Sequence, residues 1–367
     1  MTTDTGISGV ALSWRRRLLF RVAAVLFIYG IIEFAAWSMM RVARPAPKVS
    51  WAVRTIRDGG APFAYMSHPY AFVMPVPGYT GWRGIRQHNA LGFRGREIAV
   101  PKPPGVFRIV CLGGSTTYSD AVARPEESFP AEMAAFLRTA TGNHGVEVVN
   151  AGIAGATSAE VVQTVAFRVW RLDPDVLLLH TGINDANALH MGGGRPDYTY
   201  GREPFVLPRY ASPDRLALWS PAYRALFTRM WLPVRACWGF NVDGRQGSDE
   251  MADPAPYRAN LETIIHSARG RGVGVFLVNE QALPESGYDG AGDSPLGRMR
   301  AVNAALSARY GLPLCNYETF ACPREHWVDG VHLDAAGCRL KAAFIGRWIS
   351  KSGAIPPKPD TVLRPGP

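Results

Sequence analysis

Residues 107–117, FRIVCLGGSTT, join a short apolar run of β-strand character to a turn of two glycines and a serine. Similar apolar runs follow along the chain at Val146–Asn150, Val176–His180 and Val273–Val278. Between and after these runs the sequence has helical patterns, at about 126–139, 158–171, 257–268, 296–309 and 335–350. Near-continuous apolar strands that alternate with amphipathic helices indicate a parallel sheet with both faces covered. We therefore predict an α/β fold with three α/β/α layers.

The composition sets limits on the class of protein. The chain has 367 residues, of which 47% are hydrophobic and 11% aromatic, enough to bury a large core. Five cysteines are too few for a scaffold built from disulfides. The formal net charge is +10, but the triplet Arg15–Arg17 is the single basic block in the sequence. We therefore expect no nucleic-acid partner.

An apolar segment near the N-terminus predicts a membrane anchor. Val22–Met40, VAAVLFIYGIIEFAAWSMM, contains one charged side chain, Glu33. As a helix it spans about 28 Å, close to the ~30 Å hydrocarbon core of a bilayer. A cleaved signal peptide and a buried core helix are the alternatives, but the apolar region of a signal peptide is usually shorter. Glu33 is costly inside a membrane, so we expect its side chain to be protonated or paired.

Basic residues before the apolar segment favour a cytoplasmic N-terminus. We therefore predict a cytoplasmic tail over 1–17 and one transmembrane helix over 18–40, in the cell inner membrane with the main domain in the periplasm. An irregular lead-in rich in Pro and Gly follows over 41–104, then the α/β domain over 105–350 and a disordered tail over 351–367. Residues 190–256 break the strand–helix rhythm and form an insertion. Its aromatic residues either bind sugar rings or acyl chains, or cover the edge of the domain; they include Tyr198, Tyr200, Tyr210, Trp219, Trp231 and Trp238.

The ends of the predicted strands carry residues suited to acyl transfer. Ligands of an open parallel sheet bind beyond the carboxyl ends of its strands, where Ser115, Gly152 and Asn184 follow the first three. A serine hydroxyl needs a base, and His332, before the last helix, is the candidate, with Asp329 to orient its imidazole. Backbone N–H groups of Ser115 and Gly152, with the side-chain amide of Asn184, are candidates for an oxyanion hole.

These four blocks, in this order, resemble those of the SGNH (GDSL-type) hydrolase superfamily. The resemblance extends from about Arg108 to about Trp348; the matching residues are Gly113–Ser115, Gly152, Gly182–Asp185, Asp329 and His332. The lead-in segment Asn89–Gly95 is also similar to the one that precedes the domain in bacterial membrane-anchored members. One departure is Gly114, where the family usually has an aspartate.

The resemblance implies a flavodoxin-like fold and a serine esterase that needs no cofactor and no metal. Its substrate would be a small-molecule or glycan ester, with the acyl group on an oxygen of a carbohydrate or a lipid. Two alternatives remain at this point. One is an O-acyltransferase that acts on polysaccharide with the same three catalytic residues, and the other is a non-catalytic carbohydrate-binding or assembly protein.

Other motifs are excluded or left open by the residues. Thr117 stands where the G-x-S-x-G elbow of α/β-hydrolases needs its second glycine. The sequence contains no HExxH, C-x-x-C or P-loop motif. We expect a structural role for His180, whereas His326 either supports the fold or lines the pocket. A disulfide between Cys315 and Cys322 also remains open.

Overall fold

The computed structural model describes residues 13–42, 64–67, 73–80, 85–191, 220–226, 253–288 and 294–357. The chain divides into two compact units. The first comprises Met1–Arg57 and Tyr210–Arg235, and the second comprises Asp58–Arg209 and Ala236–Pro367. Most of the predicted insertion lies outside the described residues, including Tyr198, Tyr200, Tyr210, Trp219, Trp231 and Trp238. The predicted tail beyond residue 357 and most of the predicted cytoplasmic segment also lie outside them.

A five-stranded sheet forms the centre of the second unit. Its strands are β3 (Phe107–Gly113), β4 (Val146–Asn150), β5 (Val176–His180), β6 (Gly274–Val278) and β7 (Leu314–Cys315). Their spatial order is β4-β3-β5-β6-β7, and every neighbouring pair is parallel. The predicted parallel sheet is therefore confirmed. The two-residue β7 was not predicted, and neither was the antiparallel pair of β1 (Tyr65–Ser67) and β2 (Val73–Pro75) in the lead-in.

Helices precede, connect and follow the strands. In chain order they are α1 (Trp14–Val42), α2 (Ser115–Tyr118), α3 (Phe129–Thr141), α4 (Ser158–Thr164), α5 (Ile183–Met191), α6 (Pro221–Leu226), α7 (Ala255–Arg269), α8 (Pro295–Tyr310) and α9 (Ala335–Lys351). The helix predicted over 158–171 changes pitch after α4, because Val165–Val169 is a π-helical turn and Trp170–Leu172 a 3₁₀ turn.

Both faces of the sheet are buried by helices. Successive side chains of a strand point to opposite faces. On β3, Val110 and Leu112 therefore pack in one core with apolar residues of α4, α7 and α8. Ile109 and Cys111 pack in the other core with residues of α3 and α9. Burial on both sides explains why the strand sequences are almost continuously apolar.

Residues 89–95 of the lead-in pack tightly within the second unit. The backbone N–H of Arg94 donates to the carbonyl of Asn150 at the end of β4, over 3.2 Å. Its guanidinium donates to the carbonyl of Val122 over 2.6 Å and lies 4.3 Å from the centroid of the Tyr118 ring. Gly92 has a φ of +78°, and a Cβ there would lie 2.7 Å from the carbonyl oxygen of Pro75. Residues 89–95 thus belong to the packing around β4 and α2.

The first unit contains the apolar N-terminal helix. Over Trp14–Met39, α1 is long and apolar enough to cross a membrane, a test that an N-terminal signal sequence also passes. In the described part of the chain, most of the exposed large hydrophobic side chains belong to this helix. The short helix α6 packs against it within the same unit.

Candidate active site

Ser115 stands at the carboxyl end of β3, where the chain turns into α2. Gly113 makes this turn possible, because a Cβ there would lie 1.9 Å from the carbonyl oxygen of His180 on β5. The Thr117 hydroxyl donates to the same carbonyl over 3.0 Å and holds the turn against the sheet. Only 9% of Ser115 is exposed. The backbone therefore sets the position of its hydroxyl.

The structure brings His332 and Asp329 to this hydroxyl. The Nε2 atom of His332 lies 2.7 Å from the Ser115 Oγ, and its Nδ1 atom lies 2.8 Å from the Asp329 Oδ2. The other carboxylate oxygen of Asp329 accepts the backbone N–H groups of Val331 and His332, each over 2.8 Å. Serine, imidazole and carboxylate thus form a continuous chain of hydrogen bonds. Such an arrangement can withdraw a proton from a hydroxyl.

The surroundings of Asp329 keep it ionised. Burial by itself raises the pKa of Asp329, but the hydrogen bond and charge of His332, with the two backbone donors, outweigh it and lower the pKa to about 2. At neutral pH the carboxylate is therefore negative and stabilises a positive imidazole.

The loop that carries Asp329 and His332 is fixed from both sides. A Cβ on Gly330 would lie 2.5 Å from the Cβ of Ser286, so the glycine permits close packing there. The carbonyl of Gly330 accepts the N–H of Leu283 over 2.8 Å. On the other side, the Nδ1 atom of His326 lies 3.3 Å from a carboxylate oxygen of Asp334, the residue that caps α9. His326 therefore supports the loop through Asp334.

Asn184 lies close to the serine turn. Its side-chain nitrogen donates to the carbonyl of Ala156 over 2.8 Å. A Cβ on Gly114 would lie only 2.4 Å from that nitrogen and 3.2 Å from the Ala156 oxygen. The amide group is therefore packed against the residue that precedes Ser115. A carboxamide nitrogen carries two hydrogens, so one remains to donate to a substrate oxygen.

The backbone N–H of Gly152 is engaged within the protein, whereas the predicted role in the oxyanion hole needs this N–H to point at the substrate. Its backbone N–H donates to the side-chain oxygen of Asn150 over 3.1 Å, and a Cβ there would lie 2.4 Å from the backbone nitrogen of Tyr118. This glycine lets the loop after β4 pack on α2. Gly155, in the same loop, is exposed, has a φ of +78° and directly precedes Ala156. Gly155, rather than Gly152, is therefore adjacent to Ala156, whose carbonyl accepts the hydrogen bond from the Asn184 side chain.

Two buried carboxylates accept hydrogen bonds from the loops at the carboxyl ends of the strands. Asp185 is fully buried and accepts the hydroxyl of Ser158 over 2.5 Å and its backbone N–H over 3.0 Å. Glu280, two residues after the end of β6, accepts the Thr116 hydroxyl and the Ile183 N–H, each over 2.5 Å. Glu280 thus joins the neighbour of Ser115 to the neighbour of Asn184.

Glu280 was not predicted from the sequence, although an acidic residue two positions after an apolar strand is a signal that was available. Only 1% of its surface is exposed. Burial raises the pKa of Glu280 above its usual value, while its hydrogen bonds and the charges of Lys341 and His332 act in the opposite direction.

A narrow cavity adjoins the Ser115 hydroxyl. It has room for about one water-sized group, and its lining includes Ser115, Ser119, His332, Leu333 and Lys341. Lys341 is almost fully buried, and its Nζ lies 4.3 Å from the centroid of the Phe129 ring. Burial lowers the pKa of the Lys341 amine to about 8.

The other residues singled out in the sequence, His180, Cys315 and Cys322, are not part of the hydrogen-bonded chain of Ser115, His332 and Asp329. His180 is buried between the rings of Phe129 and Tyr317, and burial, followed by the charge of Lys341, holds its pKa well below the usual value. Cys315 and Cys322 are free thiols, so the disulfide considered from the sequence is not present. Among the described residues, no group of three or more His, Cys, Asp or Glu side chains is placed to hold a metal ion.

Comparisons with known proteins agree with the resemblance seen in the sequence. The profile of the GDSL-like lipase/acylhydrolase family matches residues 111–340. A lipase/acylhydrolase structure from Enterococcus faecalis is 19% identical, with a TM-score of 0.42, over 69% of this chain and 100% of that one. An acetylxylan esterase structure from Geobacillus stearothermophilus, a catalytic mutant, is 16% identical, with a TM-score of 0.41, over 66% and 94% of the two chains. No curated protein sequence matches the chain.

The close packing at Gly114 yields a first prediction. In Gly114→Ala, the new Cβ would lie 2.4 Å from the side-chain nitrogen of Asn184, so the amide must move. We expect kcat for p-nitrophenyl acetate to fall by about 100-fold, the typical effect of losing one oxyanion donor. Gly270→Ala is the matched control, because its nearest heavy atom lies 3.5 Å away. Full activity of Gly114→Ala would show that Asn184 does not act from this position.

The bridge made by Glu280 yields a second prediction. Glu280→Ala removes both acceptor oxygens, from Thr116 and from Ile183. We expect kcat to fall by about 10-fold or more with KM nearly unchanged, because the nucleophile and the amide donor lose their common support. Glu262→Ala, at a surface pair with Arg309, is the control. Equal kcat values in the two variants would contradict a positioning role for Glu280.

Proposed function

The chain belongs to the GDSL-like lipase/acylhydrolase family, and from this premise we propose that it is a serine esterase that removes a short acyl group from an oxygen of a carbohydrate or lipid. The observation that carries the proposal is the hydrogen-bonded chain of Ser115, His332 and Asp329, with distances of 2.7 and 2.8 Å. Ser115 and His332 are 217 residues apart in the sequence, yet their side chains lie within hydrogen-bond distance.

In the proposed reaction, the Ser115 Oγ attacks the acyl carbon while the His332 Nε2 takes the serine proton. The carbonyl π electrons move to the oxygen, and a tetrahedral oxyanion forms. As the ester C–O bond breaks, His332 returns the proton to the departing alcohol oxygen and leaves Ser115 acylated. Water then attacks the acyl-enzyme with His332 as base, which releases the acid and restores the serine. Asp329 orients His332 and stabilises its positive form.

The oxyanion in this scheme is held by the backbone N–H of Ser115 and the side-chain amide of Asn184. We propose Gly155 as the third donor in place of Gly152, because the N–H of Gly152 already donates to Asn150. Gly155 is exposed beside Ala156, the residue whose carbonyl accepts the amide of Asn184. Each such donor typically contributes about 3 kcal/mol to transition-state stabilisation.

Two features favour hydrolysis of a short acyl ester. The cavity beside Ser115 has room for about one water-sized group, which favours an acetyl ester over a long acyl chain. The Asp329 side chain is 46% exposed, so water has access to this side of the catalytic residues. A dedicated O-acyltransferase has to keep water away from its acyl-enzyme, and the open Asp329 side does not support such exclusion.

The proposed location is the inner membrane. We propose that α1 is retained as a single-pass anchor, with the basic cluster Arg15–Arg17 in the cytoplasm. The second unit, which contains Ser115, Asp329 and His332, then lies in the periplasm. The reaction described above needs only groups of this chain, the ester and water.

Substitution of the proposed catalytic residues tests the mechanism. We expect Ser115→Ala and His332→Ala each to lower kcat for p-nitrophenyl acetate by at least about 10⁴-fold, because the nucleophile or its base is lost. Ser350→Ala, on the outer helix α9, is the control and should keep full activity. A Ser115→Ala variant with substantial turnover would rule out the proposed nucleophile, and with it the esterase mechanism.

Acyl length and acceptor dependence test the substrate class. We expect kcat/KM at least about 10-fold higher for p-nitrophenyl acetate than for the octanoate, because the cavity excludes the longer chain. Nitrophenol release should be independent of added methyl glucoside, and free acetate should appear in equal amount. Turnover only in the presence of the sugar, with an acetylated sugar as product, would identify a transferase instead.

A further inference from the structure

The membrane helix carries an acidic side chain whose partners come from the insertion. Within the first unit, the Glu33 carboxylate accepts the hydroxyl of Ser220 and, over 2.7 Å, the backbone N–H of Ala222. The Ser220 oxygen in turn accepts the N–H of Tyr223 over 2.9 Å and caps the first turn of α6. Glu33 therefore binds the beginning of α6, 187 residues away along the chain.

From these contacts we propose that Ser220–Leu226 enters the lipid bilayer beside α1, so that the insertion is a second point of membrane attachment. Ser220–Leu226 would then contact the acyl chains of the periplasmic lipid leaflet, the one nearer the C-terminal end of α1. The inference rests on the membrane anchor proposed above, and it is independent of the esterase reaction.

The depth of Glu33 places its partners below the membrane surface. Arg21 and Arg41 bracket the apolar part of α1, and the nineteen residues from 22 to 40 are close to the number that spans a hydrocarbon core. Glu33 lies eight residues before Arg41, which corresponds to about 12 Å along the helix. Ser220 and Ala222 are within hydrogen-bond distance of Glu33 and lie at the same depth.

Glu33 and the first turn of α6 supply each other's hydrogen-bonding partners. A carboxylate in a hydrocarbon environment has no water to solvate it, and the first N–H groups of a helix have no acceptor within that helix. Lipid supplies neither donors nor acceptors. Contact between Glu33 and the first turn of α6 removes both deficits at once. This pairing therefore stabilises the structure more inside the bilayer than in water, where each group would bind solvent instead.

Both helices carry exposed apolar side chains. Leu226, at the end of α6, is 53% exposed. On α1, Phe34 and Trp37 are 69% and 41% exposed, and their rings stack with centroids 5.9 Å apart. Apolar side chains that remain exposed on two packed helices are suited to contact with lipid. Since they continue the exposed apolar surface of the proposed span, lipid is the partner that this surface favours.

A depth measurement on the full-length protein tests the proposal. Leu226→Cys, in a background with Cys237→Ser and Cys322→Ser, is labelled with the fluorophore NBD and reconstituted into phosphatidylcholine–phosphatidylglycerol vesicles. We expect blue-shifted emission and quenching by doxyl-labelled lipids. Phe167→Cys is the matched control, because Phe167 is also 53% exposed but belongs to the second unit. Its probe should not be quenched.

Glu33→Leu isolates the role of the carboxylate. This variant should still float with the vesicles, because the span becomes more apolar, but quenching at position 226 should fall by about half or more. Failure of the wild-type chain to float would refute the anchor itself. Flotation with a Leu226→Cys probe quenched no more than the control would refute insertion of α6 while leaving the esterase intact. Unquenched, blue-shifted emission that depends on protein concentration would identify a second copy as the partner and also overturn the proposal.

Discussion

A single buried carboxylate, Glu280, connects the two loops on which the proposed chemistry depends. Burying a carboxylate is costly unless its oxygens receive hydrogen bonds. Thr116 and Ile183 supply these bonds, and each directly neighbours a residue of the proposed site. Because β3, β5 and β6 are parallel and adjacent, their carboxyl ends meet at one edge, and one side chain is long enough to reach both loops. The topology of the sheet thus makes the bridge possible.

The site combines rigid and accessible parts. Ser115 is nearly buried and rests on a turn whose glycines touch neighbouring chain, so its hydroxyl has little freedom. His332 and Asp329 come from a loop before α9, and the Asp329 side chain is about half exposed. In the proposed reaction this division has a purpose, because the nucleophile must be positioned accurately while water and the leaving alcohol must reach the imidazole. The low pKa of Asp329 keeps its charge available through every step.

The sequence predicted those features whose signal is local. β3, β4, β5 and β6 were recognised because strands buried on both faces are apolar at nearly every position. β7 has only two residues and pairs with the edge of the sheet, too short for any periodic signal. The parallel topology was also the reason to inspect the carboxyl ends of the strands, where Ser115 and Asn184 follow β3 and β5; their joint role with His332 stays a prediction.

Features that depend on long-range contacts could not be predicted in the same way. Gly152 and Gly155 are three residues apart in one loop, and only the contact of Gly152 with Asn150 and Tyr118 distinguishes a packing glycine from a potential donor. A partner for Glu33 was expected from the cost of a charge in a membrane. That this partner is Ser220 follows only from the packing of α6 on α1, because the residues between them in sequence carry no indication of it.

The central claim is that the Ser115 hydroxyl is the nucleophile activated by His332. The most direct measurement is peptide mapping by mass spectrometry after inactivation with a fluorophosphonate ester. The account predicts one phosphonyl group per chain, on the peptide that contains Ser115, formed together with the loss of esterase activity. Inactivation with the phosphonyl group on another residue, or full labelling of Ser115 with activity unchanged, would contradict it.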